Sequence, residues 1–452
     1  MEWVSSFAAP SGSAYDGSDR AAPAKGDHTV TTNELTAQGR ESVTRGWEAA
    51  SIVEFLTDAA RSIGVGSNTD AGTAPAPPPG LNPIQMTGGI PDPATLPREK
   101  LLEAMRIVLA ETPHEALRYG GFQGFDGLRA ALAERSTLND GIPQGPENFV
   151  LTNGSAGGID LISSTFINPG DVVVAEAPTF SGTLRTFRGH MARLMTVPVD
   201  DDGMVVDALE ELLERQQRAG EPIKAVYTIP NFHNPTGTYL SLPRREKLVE
   251  LAARHRFLII EDDAYGQINF GDHVLPNLYA LAEGHGVLRA CTFSKTIATG
   301  LRVGWVQGRA DFVDACVRMR FDMGASPLLH RMLAVYVEAG EWERHIDTMR
   351  RLYARKCEAL CDSLVEWCEP YVRFRRPEGG FFLWLECRDG IEAGTVARYG
   401  IEEGVMFSPG RNFFLDGDDA RHLRLAFSTA TPEELREAGK RLARALARAA
   451  GD

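Results

Sequence analysis

The sequence lacks the features that mark membrane, secreted and nucleic-acid-binding proteins. No run of 18 apolar residues occurs among its 452 residues, so we expect no transmembrane helix. Its N-terminal residues have neither the basic start nor the apolar stretch of a secretory signal. Acidic residues outnumber basic ones by 61 to 47, and a net charge of −14 argues against nucleic acid as a general partner. These absences predict a cytoplasmic protein with no membrane and no nucleic-acid partner.

Cysteine is also scarce in this chain. It has six cysteines and no Cys-x-x-Cys spacing, and Cys357 and Cys361 stand one helical turn apart. This pattern does not suggest a disulfide framework or a zinc site. We therefore expect reduced thiols and no metal ion.

What the chain does have is enough apolar sequence for a large core, 43% of its residues. Residues 1–40 are rich in Ser, Gly, Ala and Asp and are expected to be disordered. Residues 41–87 combine one helix, with apolar residues at helical spacing, and a proline-rich linker. Over 88–325 strands alternate with helices, which predicts a large α/β domain with a mostly parallel sheet wrapped by helices; 326–452 predict a smaller α+β domain.

The segment from Cys291 to Trp305 offers one lysine where a covalent cofactor would need it. The apolar run from Gly286 to Phe293 predicts a buried strand, and Lys295 follows it in a Ser/Thr/Gly-rich loop. Desolvation there would lower the pKa of the lysine, and a partly neutral amine can hold pyridoxal 5'-phosphate (PLP) as a Schiff base. A lone lysine at a strand end can also be an ordinary surface residue, so this prediction depends on its neighbours.

An acidic cluster and a phenol follow a second predicted strand. Phe257 to Ile260 form a continuous apolar stretch, and Glu261, Asp262 and Asp263 lie at its exit, where open α/β sheets place their ligands. We assign Asp262 to the pyridine nitrogen of PLP, because it stands three residues before Tyr265, whose phenol could reach the 3-oxygen. The alternative is an acidic cluster that caps the strand in solvent.

Two further strands end in residues that suit the cofactor ring. Asn234, in a loop with proline and glycine, can donate an amide hydrogen bond to the ring oxygen. Phe180 follows an apolar strand and can stack on the ring. An ordinary turn and a core phenylalanine are the respective alternatives.

The phosphate group would need backbone N–H donors and a cation. Gly154, Ser155 and Ala156 lie in a glycine-rich turn before an amphipathic helix, where an anion is favoured and Ser155 can also cap the helix. The lysine loop can add Ser294 and Arg302, with Thr292 as a third ligand.

Taken in order, these residues resemble the site of fold-type I PLP enzymes, and more closely that of the class I/II aminotransferases. Seven segments carry the resemblance from about Gly88 onward: YGGFQGFDGLRAAL, NPTG, EDDAYG, FSKTIATGLRVGW, PEGGFFLWLE, GVMFSPGRNFF and HLRLAFS. TGGIPDP, the Asn-Phe-His before NPTG and the EDDAY run are most similar to the branch of 2-aminoadipate and kynurenine aminotransferases. Seven ordered matches make a specific signal, which no single motif would.

The resemblance implies a role for each position. Lys295 would carry PLP and, once released by substrate, move the proton at the alpha carbon. Arg424, in HLRLAFS, matches the arginine that binds the substrate's alpha-carboxylate through two parallel hydrogen bonds. Tyr119 matches a tyrosine that reaches the phosphate of the neighbouring subunit, which implies a homodimer with shared sites. The implied catalytic residues are Lys295, Asp262 and Tyr265; cofactor contacts add Gly154, Ser155, Ala156, Phe180, Asn234, Thr292, Ser294, Arg302 and Tyr119; substrate contacts are Arg424, Asn234 and Gly89.

Departures from the family pattern leave the reaction open at this point. Ala156 to Gly158 stand where a polar residue usually follows Gly-Ser, Phe180 stands where Tyr is more frequent, and Ala298 to Gly300 replace Ala-Pro-Gly. The resemblance implies transfer of an amino group between an L-amino acid and a 2-oxo acid such as 2-oxoglutarate. The alternative is another PLP reaction of specialised metabolism: β- or γ-elimination or replacement, carbon–carbon coupling through a quinonoid or vinylglycine-type intermediate, or oxidation.

A third hypothesis is a transcription regulator with an aminotransferase-like sensor domain. Residues 1–80 hold five basic and ten acidic residues. A DNA-reading module would be basic and would hold several helices. The sequence therefore favours an enzyme.

Overall fold

The computed structural model describes residues 54, 56–63, 80–271 and 274–451. The predicted disordered extension lies outside these residues, and so does most of the helix and linker predicted over 41–87. Within that segment, Asp58–Ile63 is helical. From Thr57 onward, the described residues pack as one compact unit. In the described ranges, no helix combines the length and the apolar character needed to cross a membrane.

The helices are α1 (Asp58–Ile63), α2 (Arg98–Glu111), α3 (Pro113–Ala116), α4 (Asp126–Asp140), α5 (Gly154–Phe166), α6 (Ser181–Gly189), α7 (Val206–Arg218), α8 (Leu242–His255), α9 (Leu278–Leu281), α10 (Ala310–Met319), α11 (Pro327–Glu338), α12 (Glu341–Cys368), α13 (Ala393–Glu403) and α14 (Pro432–Ala450). Short 3-10 helices lie at Pro93–Thr95, Pro146–Asn148, Thr299–Leu301 and Gly410–Phe413.

The strands are β1 (Ile84–Gln85), β2 (Phe149–Thr152), β3 (Val172–Ala177), β4 (Arg193–Asp200), β5 (Gly203–Met204), β6 (Ile223–Thr228), β7 (Leu258–Asp262), β8 (Val287–Thr292), β9 (Gly304–Gln307), β10 (Val372–Phe374), β11 (Phe382–Cys387), β12 (Val405–Met406), β13 (Ser408–Pro409) and β14 (His422–Ala426).

Eight strands form one large sheet in the order β2-β9-β8-β7-β6-β3-β4-β5. From β8 to β4 all neighbours are parallel, whereas β9 is antiparallel to both β8 and β2. Strands β6, β7 and β8 are almost wholly buried, which explains their continuous apolar sequences. The predicted α/β fold is confirmed, with a sheet that is mixed at its edges.

A smaller antiparallel sheet, in the order β10-β11-β14-β13, forms in the C-terminal part of the chain. Strand β1 pairs in parallel with β12. The backbone N–H of Met86 donates to the Met406 carbonyl, and the Met86 carbonyl accepts from Ala426. The segment around β1 is therefore bonded to the C-terminal part of the molecule.

One buried cluster joins the two sheets. It includes Ile260 and Leu288 from the large sheet and Leu383 and Leu423 from the small one. Helices α11 and α12 are separate, and Gly340 between them has a φ of 69°, a left-handed conformation that ends a helix. All six cysteines are buried and carry free thiols.

Candidate active site

Four parallel strands of the large sheet end at the same edge, and a residue predicted to contact the cofactor follows each of them. Strand β3 leads to Phe180, β6 to Asn234, β7 to Tyr265 and β8 to Lys295. Because the carboxyl ends of parallel strands share one edge, distant parts of the sequence meet there.

The predicted phosphate residues converge where β2 enters α5. Helix α5 begins at Gly154, with Asn153 at the capping position, so the predicted capping role of Ser155 is wrong. The Arg302 guanidinium donates to the Asn153 carbonyl at 3.1 Å and to the Ser294 hydroxyl at 3.2 Å. Arg302 therefore joins the N-terminus of α5 to the lysine loop.

Two glycines allow this close approach. Gly154 has a φ of 73°, and a Cβ atom there would lie 2.7 Å from Arg302 Nη2. A Cβ atom on Gly304 would lie 2.6 Å from the carbonyl carbon of Gly154. Thr292 donates to the Ser294 hydroxyl at 2.8 Å, which orients that side chain. The result is a group of N–H and O–H donors beside one guanidinium.

The carboxylate of Asp262 is buried and only half satisfied. Tyr227 donates to Oδ2 at 2.8 Å, whereas Oδ1 has no hydrogen-bond partner among the described residues. Burial raises the pKa of Asp262 to about 6; the Tyr227 hydrogen bond and Lys295 oppose this rise, and Asp263 adds to it. An unpaired buried acceptor is costly, so Oδ1 is suited to a cationic donor.

Asp263, the next residue, is fully engaged by the protein. Its Oδ1 accepts from Asn231 at 2.9 Å and from the Gly266 N–H at 3.1 Å, and its Oδ2 accepts from Arg289 Nε at 3.2 Å and from Arg289 Nη2. Burial alone would raise the pKa of Asp263, but Arg289 and the Asn231 hydrogen bond outweigh it and lower the pKa. The geometry supports Asp262 as the cofactor carboxylate.

These observations fit PLP. The free Oδ1 of Asp262 suits a protonated ring nitrogen, which requires a nearby anion. The start of α5, with Arg302 and Ser294 beside it, suits a phosphate dianion. Lys295 follows β8, the strand next to β7, whose last residue is Asp262.

Asn234, Tyr265 and Arg424 lie close together. Asn234 Oδ1 accepts from Arg424 Nη1 at 3.0 Å, and Arg424 and Asn234 both act to lower the pKa of the Tyr265 phenol. Burial raises the pKa of Tyr265, so its phenol is neutral near pH 7. The predicted ring-oxygen donors and the predicted carboxylate-binding arginine thus meet in one place.

The guanidinium of Arg424 is held between two aromatic rings. Its central carbon lies 4.6 Å from the Phe382 centroid and 4.5 Å from the Phe413 centroid. Its Nη2 donates to the Ser408 hydroxyl at 3.3 Å and to the Thr87 carbonyl. Contact with both rings restricts the movement of the guanidinium, whose planar shape suits two parallel hydrogen bonds to a carboxylate.

Lys295 contacts the loop that contains Gly89. Its Nζ donates to the Gly89 carbonyl at 2.8 Å and lies 5.7 Å from the centroid of the Tyr265 ring. A Cβ atom on Gly89 would overlap the Phe382 ring. Glycine therefore lets the loop pass against the Phe382 ring.

Two residues predicted to contact the cofactor, Phe180 and Tyr119, have none of the hydrogen bonds that join the other predicted residues in the described part of the chain. Phe180 is half-buried against the main core, and a Cβ atom on Gly182 would lie 2.6 Å from its ring. Tyr119 is 79% exposed. The chain itself does not bring Tyr119 into the group described above.

Several residues of the site escaped the sequence reasoning. The sequence did not single out Tyr227, yet it donates to Asp262, and Thr183 in turn donates to its hydroxyl at 3.1 Å. Phe382 and Phe413 lay within recognised segments, but nothing in the sequence pointed them at Arg424. One feature of the sequence could have indicated the contact between Tyr227 and Asp262. Tyr227 lies near the end of β6, and the neighbouring strand β7 ends in the carboxylate of Asp262.

Comparison with known proteins gives a consistent result. A model of the family described as aminotransferase class I and II matches residues 85–442. The aromatic-amino-acid aminotransferase 1 of Thermococcus litoralis is 35% identical over 365 residues, 80% of this chain and 88% of that protein. The 2-aminoadipate transaminase of Thermus thermophilus is 34% identical over 374 residues, 81% and 90% of the two chains.

A solved structure agrees with these relatives. The alpha-aminoadipate aminotransferase of Thermus thermophilus, in complex with N-(5'-phosphopyridoxyl)-L-leucine, is 32% identical with a TM-score of 0.80. The match covers 89% of this chain and 100% of that one. The resemblance predicted from the sequence segments is therefore confirmed.

Proposed function

This chain belongs to the aminotransferase class I and II family and is a PLP-dependent aminotransferase, and we propose that Lys295 carries its cofactor. It transfers an amino group between an amino acid and a 2-oxo acid. The observation that carries the assignment of the site is the buried, unpaired Oδ1 of Asp262 beside the strand that leads to Lys295. When bound, PLP supplies an aldehyde that takes up the amino group and a ring that withdraws electrons from the alpha carbon.

Different residues are proposed to bind the ring nitrogen, the ring oxygen and the phosphate of PLP. Asp262, which accepts a hydrogen bond from Tyr227, would hold a proton on the ring nitrogen. Asn234 and Tyr265 would donate to the ring oxygen, and Phe180 would stack on the ring. Gly154, Ser155, Ala156, Ser294 and Arg302 would hold the phosphate, with Ser294 oriented by Thr292 and with Tyr119 contributed by a second subunit.

Lys295 moves the proton at the substrate's alpha carbon. Its contact with the Gly89 carbonyl keeps the amine on the side of the site where the loop enters. Arg424 binds the alpha-carboxylate, because its stacked guanidinium presents two N–H groups in one plane. Gly89, which contacts Lys295, and Asn234, which contacts Arg424, are the other two residues proposed to contact the substrate.

The substrates we propose are L-amino acids with medium or large side chains, with 2-oxoglutarate as an amino acceptor. Support comes from relatives named for aromatic amino acids and for 2-aminoadipate. The test is a panel of amino acids added to the holoenzyme without an acceptor. The expected result is one equivalent of 2-oxo acid per site and release of pyridoxamine 5'-phosphate on denaturation. Formation of ammonia or of a coupled product instead would overturn the proposal.

We also propose that the active species is a homodimer. Leu117, Tyr119 and Phe321 are exposed by 68%, 79% and 92%, and Arg320 links their two segments by donating to the Phe122 carbonyl at 2.8 Å. An apolar patch of this kind suits a partner surface.

Mixed dimers test this proposal. An inactive Lys295→Ala chain mixed with an impaired Tyr119→Phe chain should regain activity through hybrid sites that hold one intact residue of each kind. No gain, once subunit exchange has been demonstrated, would show that Tyr119 acts within its own chain.

The remaining proposals concern organisation. The domain limits proposed are 88–325 for the cofactor-binding domain and 326–452 for the small one, and the proposed location is the cytoplasm. Limited proteolysis that cleaves first near residue 325 would support the limits.

A further inference from the structure

The loop Thr87–Asp92 supplies backbone carbonyls to two basic side chains of the site, those of Arg424 and Lys295. The Thr87 carbonyl accepts from Arg424 Nη2, and the Gly89 carbonyl accepts from Lys295 Nζ at 2.8 Å. Between them, the Gly88 carbonyl accepts from the Ser428 hydroxyl at 3.5 Å. The position of this loop therefore decides how a carboxylate can approach Arg424.

The far end of the loop is held by helix α12. Tyr353 accepts the backbone N–H of Asp92 on its hydroxyl at 2.9 Å. One turn further along the helix, Lys356 Nζ donates to Asp92 Oδ2 at 2.5 Å and to the Ser428 carbonyl at 2.7 Å. Both the main chain and the side chain of Asp92 are thus bound to the same face of α12.

Lys356 is an unusual residue for this position. Its side chain is 1% exposed, and that of Asp92 is 14% exposed. A buried ammonium is costly unless it is paired and hydrogen-bonded, so its two acceptors matter to the fold. These acceptors belong to different segments: Asp92 ends the loop, and Ser428 follows β14, the strand that carries Arg424.

We propose that Lys356 is a positioning residue for substrate binding: by joining Asp92 to Ser428, it fixes the carbonyls of Thr87 and Gly89 relative to Arg424. The proposal rests on the proposed role of Arg424 as the carboxylate-binding residue. Tyr353 assists, and burial raises its pKa to about 12, so it acts as a neutral phenol. Neither residue contacts the reacting atoms, so both act through the loop.

The ordinary alternative is a buried ion pair that only stabilises the fold. The two roles predict different kinetics. Loss of stability alone lowers the amount of active protein and leaves KM unchanged, whereas a displaced loop raises KM and leaves the bound cofactor's absorbance unchanged.

The first experiment is Lys356→Met, which removes the charge and keeps the length of the side chain. We expect KM for the amino acid to rise about tenfold or more, as a misplaced binding group would cause, with a smaller change in kcat. Binding of 2-oxoglutarate to the holoenzyme should weaken in parallel. The matched control is Lys247→Met, which breaks the exposed pair with Asp207 at 2.6 Å and should leave KM within about twofold of the wild-type value.

A double variant separates position from stability. Lys356→Met leaves the Asp92 carboxylate without its charged partner, so the cofactor-free protein should unfold at a lower urea concentration. Asp92→Asn combined with Lys356→Met removes both charges. We expect the double variant to recover most of the lost stability and none of the lost affinity. If Lys356→Met does not fold, the double variant and Tyr353→Phe supply the KM measurement.

Two results would overturn the positioning role of Lys356. One is a KM that returns to the wild-type value when the double variant regains its stability; the other is a KM within about twofold of wild type in folded Lys356→Met. If the wild-type protein fails to transfer amino groups from the whole panel, the proposed substrates are wrong. In that case weaker 2-oxoglutarate binding by Lys356→Met still tests the loop, because it needs no turnover.

Discussion

The cofactor side of the site and its substrate side are built in different ways. Ser294 and Arg302 are 8 residues apart, and Asp262 and Lys295 leave neighbouring strands of one sheet. On the substrate side, Arg424 bonds Asn234 across 190 residues and Thr87 across 337. The first side follows from sheet topology and local loops, whereas the second exists only after both sheets have packed together.

The largest expected effect concerns the cofactor side. Lys295→Ala should lower turnover by at least about 10²–10⁴-fold, because it removes the covalent anchor and the proton carrier together. Borohydride reduction of the wild-type holoenzyme and peptide mapping should place the label on Lys295. Lys440→Ala, at an exposed position, is the control and should be fully active. A label on any other lysine would refute the site.

Next in size is the contrast between two adjacent carboxylates. Asp262→Asn should remove most activity by a cost of about 2–5 kcal/mol, since it leaves a cationic ring nitrogen unpaired. Asp263→Asn should retain far more activity and instead lower stability, because Arg289 would lose the nearer of its two carboxylate partners. Steady-state kinetics and urea unfolding of both variants measure the difference. Equal kinetic losses would mean that the register of the cofactor carboxylate is wrong by one residue.

The substrate side should respond through KM. Arg424→Ala is expected to cost about 2–5 kcal/mol in kcat/KM, and Arg424→Lys should recover only part of it, because an ammonium lacks the planar pair of N–H groups. The visible absorbance of bound PLP should remain normal in both. Normal substrate affinity in Arg424→Ala would show that another residue binds the carboxylate. The substrate side would then not be the group of residues around Arg424.

The smallest expected effect is one of pH. Burial raises the pKa of Asp262 to about 6, so the folded protein holds this proton more tightly than the unfolded chain does. Below that pH the carboxyl is neutral and pairs poorly with a cation. We expect the affinity of the cofactor-free protein for PLP to fall by about tenfold per pH unit below about 6.

Asp262→Asn provides the reference for this measurement, because it keeps the titration of PLP itself and removes that of the protein. The difference between the two pH profiles isolates the Asp262 carboxylate. Identical profiles would mean that Asp262 does not exchange a charge with the cofactor. The same linkage makes the cofactor-free fold lose stability as the pH rises from the ordinary aspartate range toward about 6.

Much of the cofactor side could be predicted from the sequence. Apolar runs located β7 and β8, and their exits located Asp262 and Lys295, because ligands of α/β sheets gather at strand exits. The first residue of α5 is Gly154, and the predicted cap at Ser155 was wrong because helix boundaries depend on local backbone geometry.

The side chains that contact and orient these site residues could not be predicted from the sequence. Tyr227 reaches Asp262 only through the pairing of β6 with β7, and the Phe382 and Phe413 rings meet Arg424 only through the packed small sheet. Similarly, buried Glu176 accepts from Thr228 at 2.7 Å and contacts His233 at 3.1 Å, and so supports the loop of Asn234. Periodicity shows which residues are buried, but it does not show which polar partners they find.

The pairing of β1 with β12 has a consequence for how the protein is made. A ribosome delivers the N-terminal part first, so every strand of the large sheet emerges before β12 and β14 have been synthesised. All residues of the cofactor side have therefore been synthesised while Ile84 and Met86 still lack their partners. Arg424 follows more than 100 residues after the last strand of the large sheet. A polypeptide cut short before β14 would keep every other residue proposed to bind the cofactor and would lack the arginine proposed to bind the substrate.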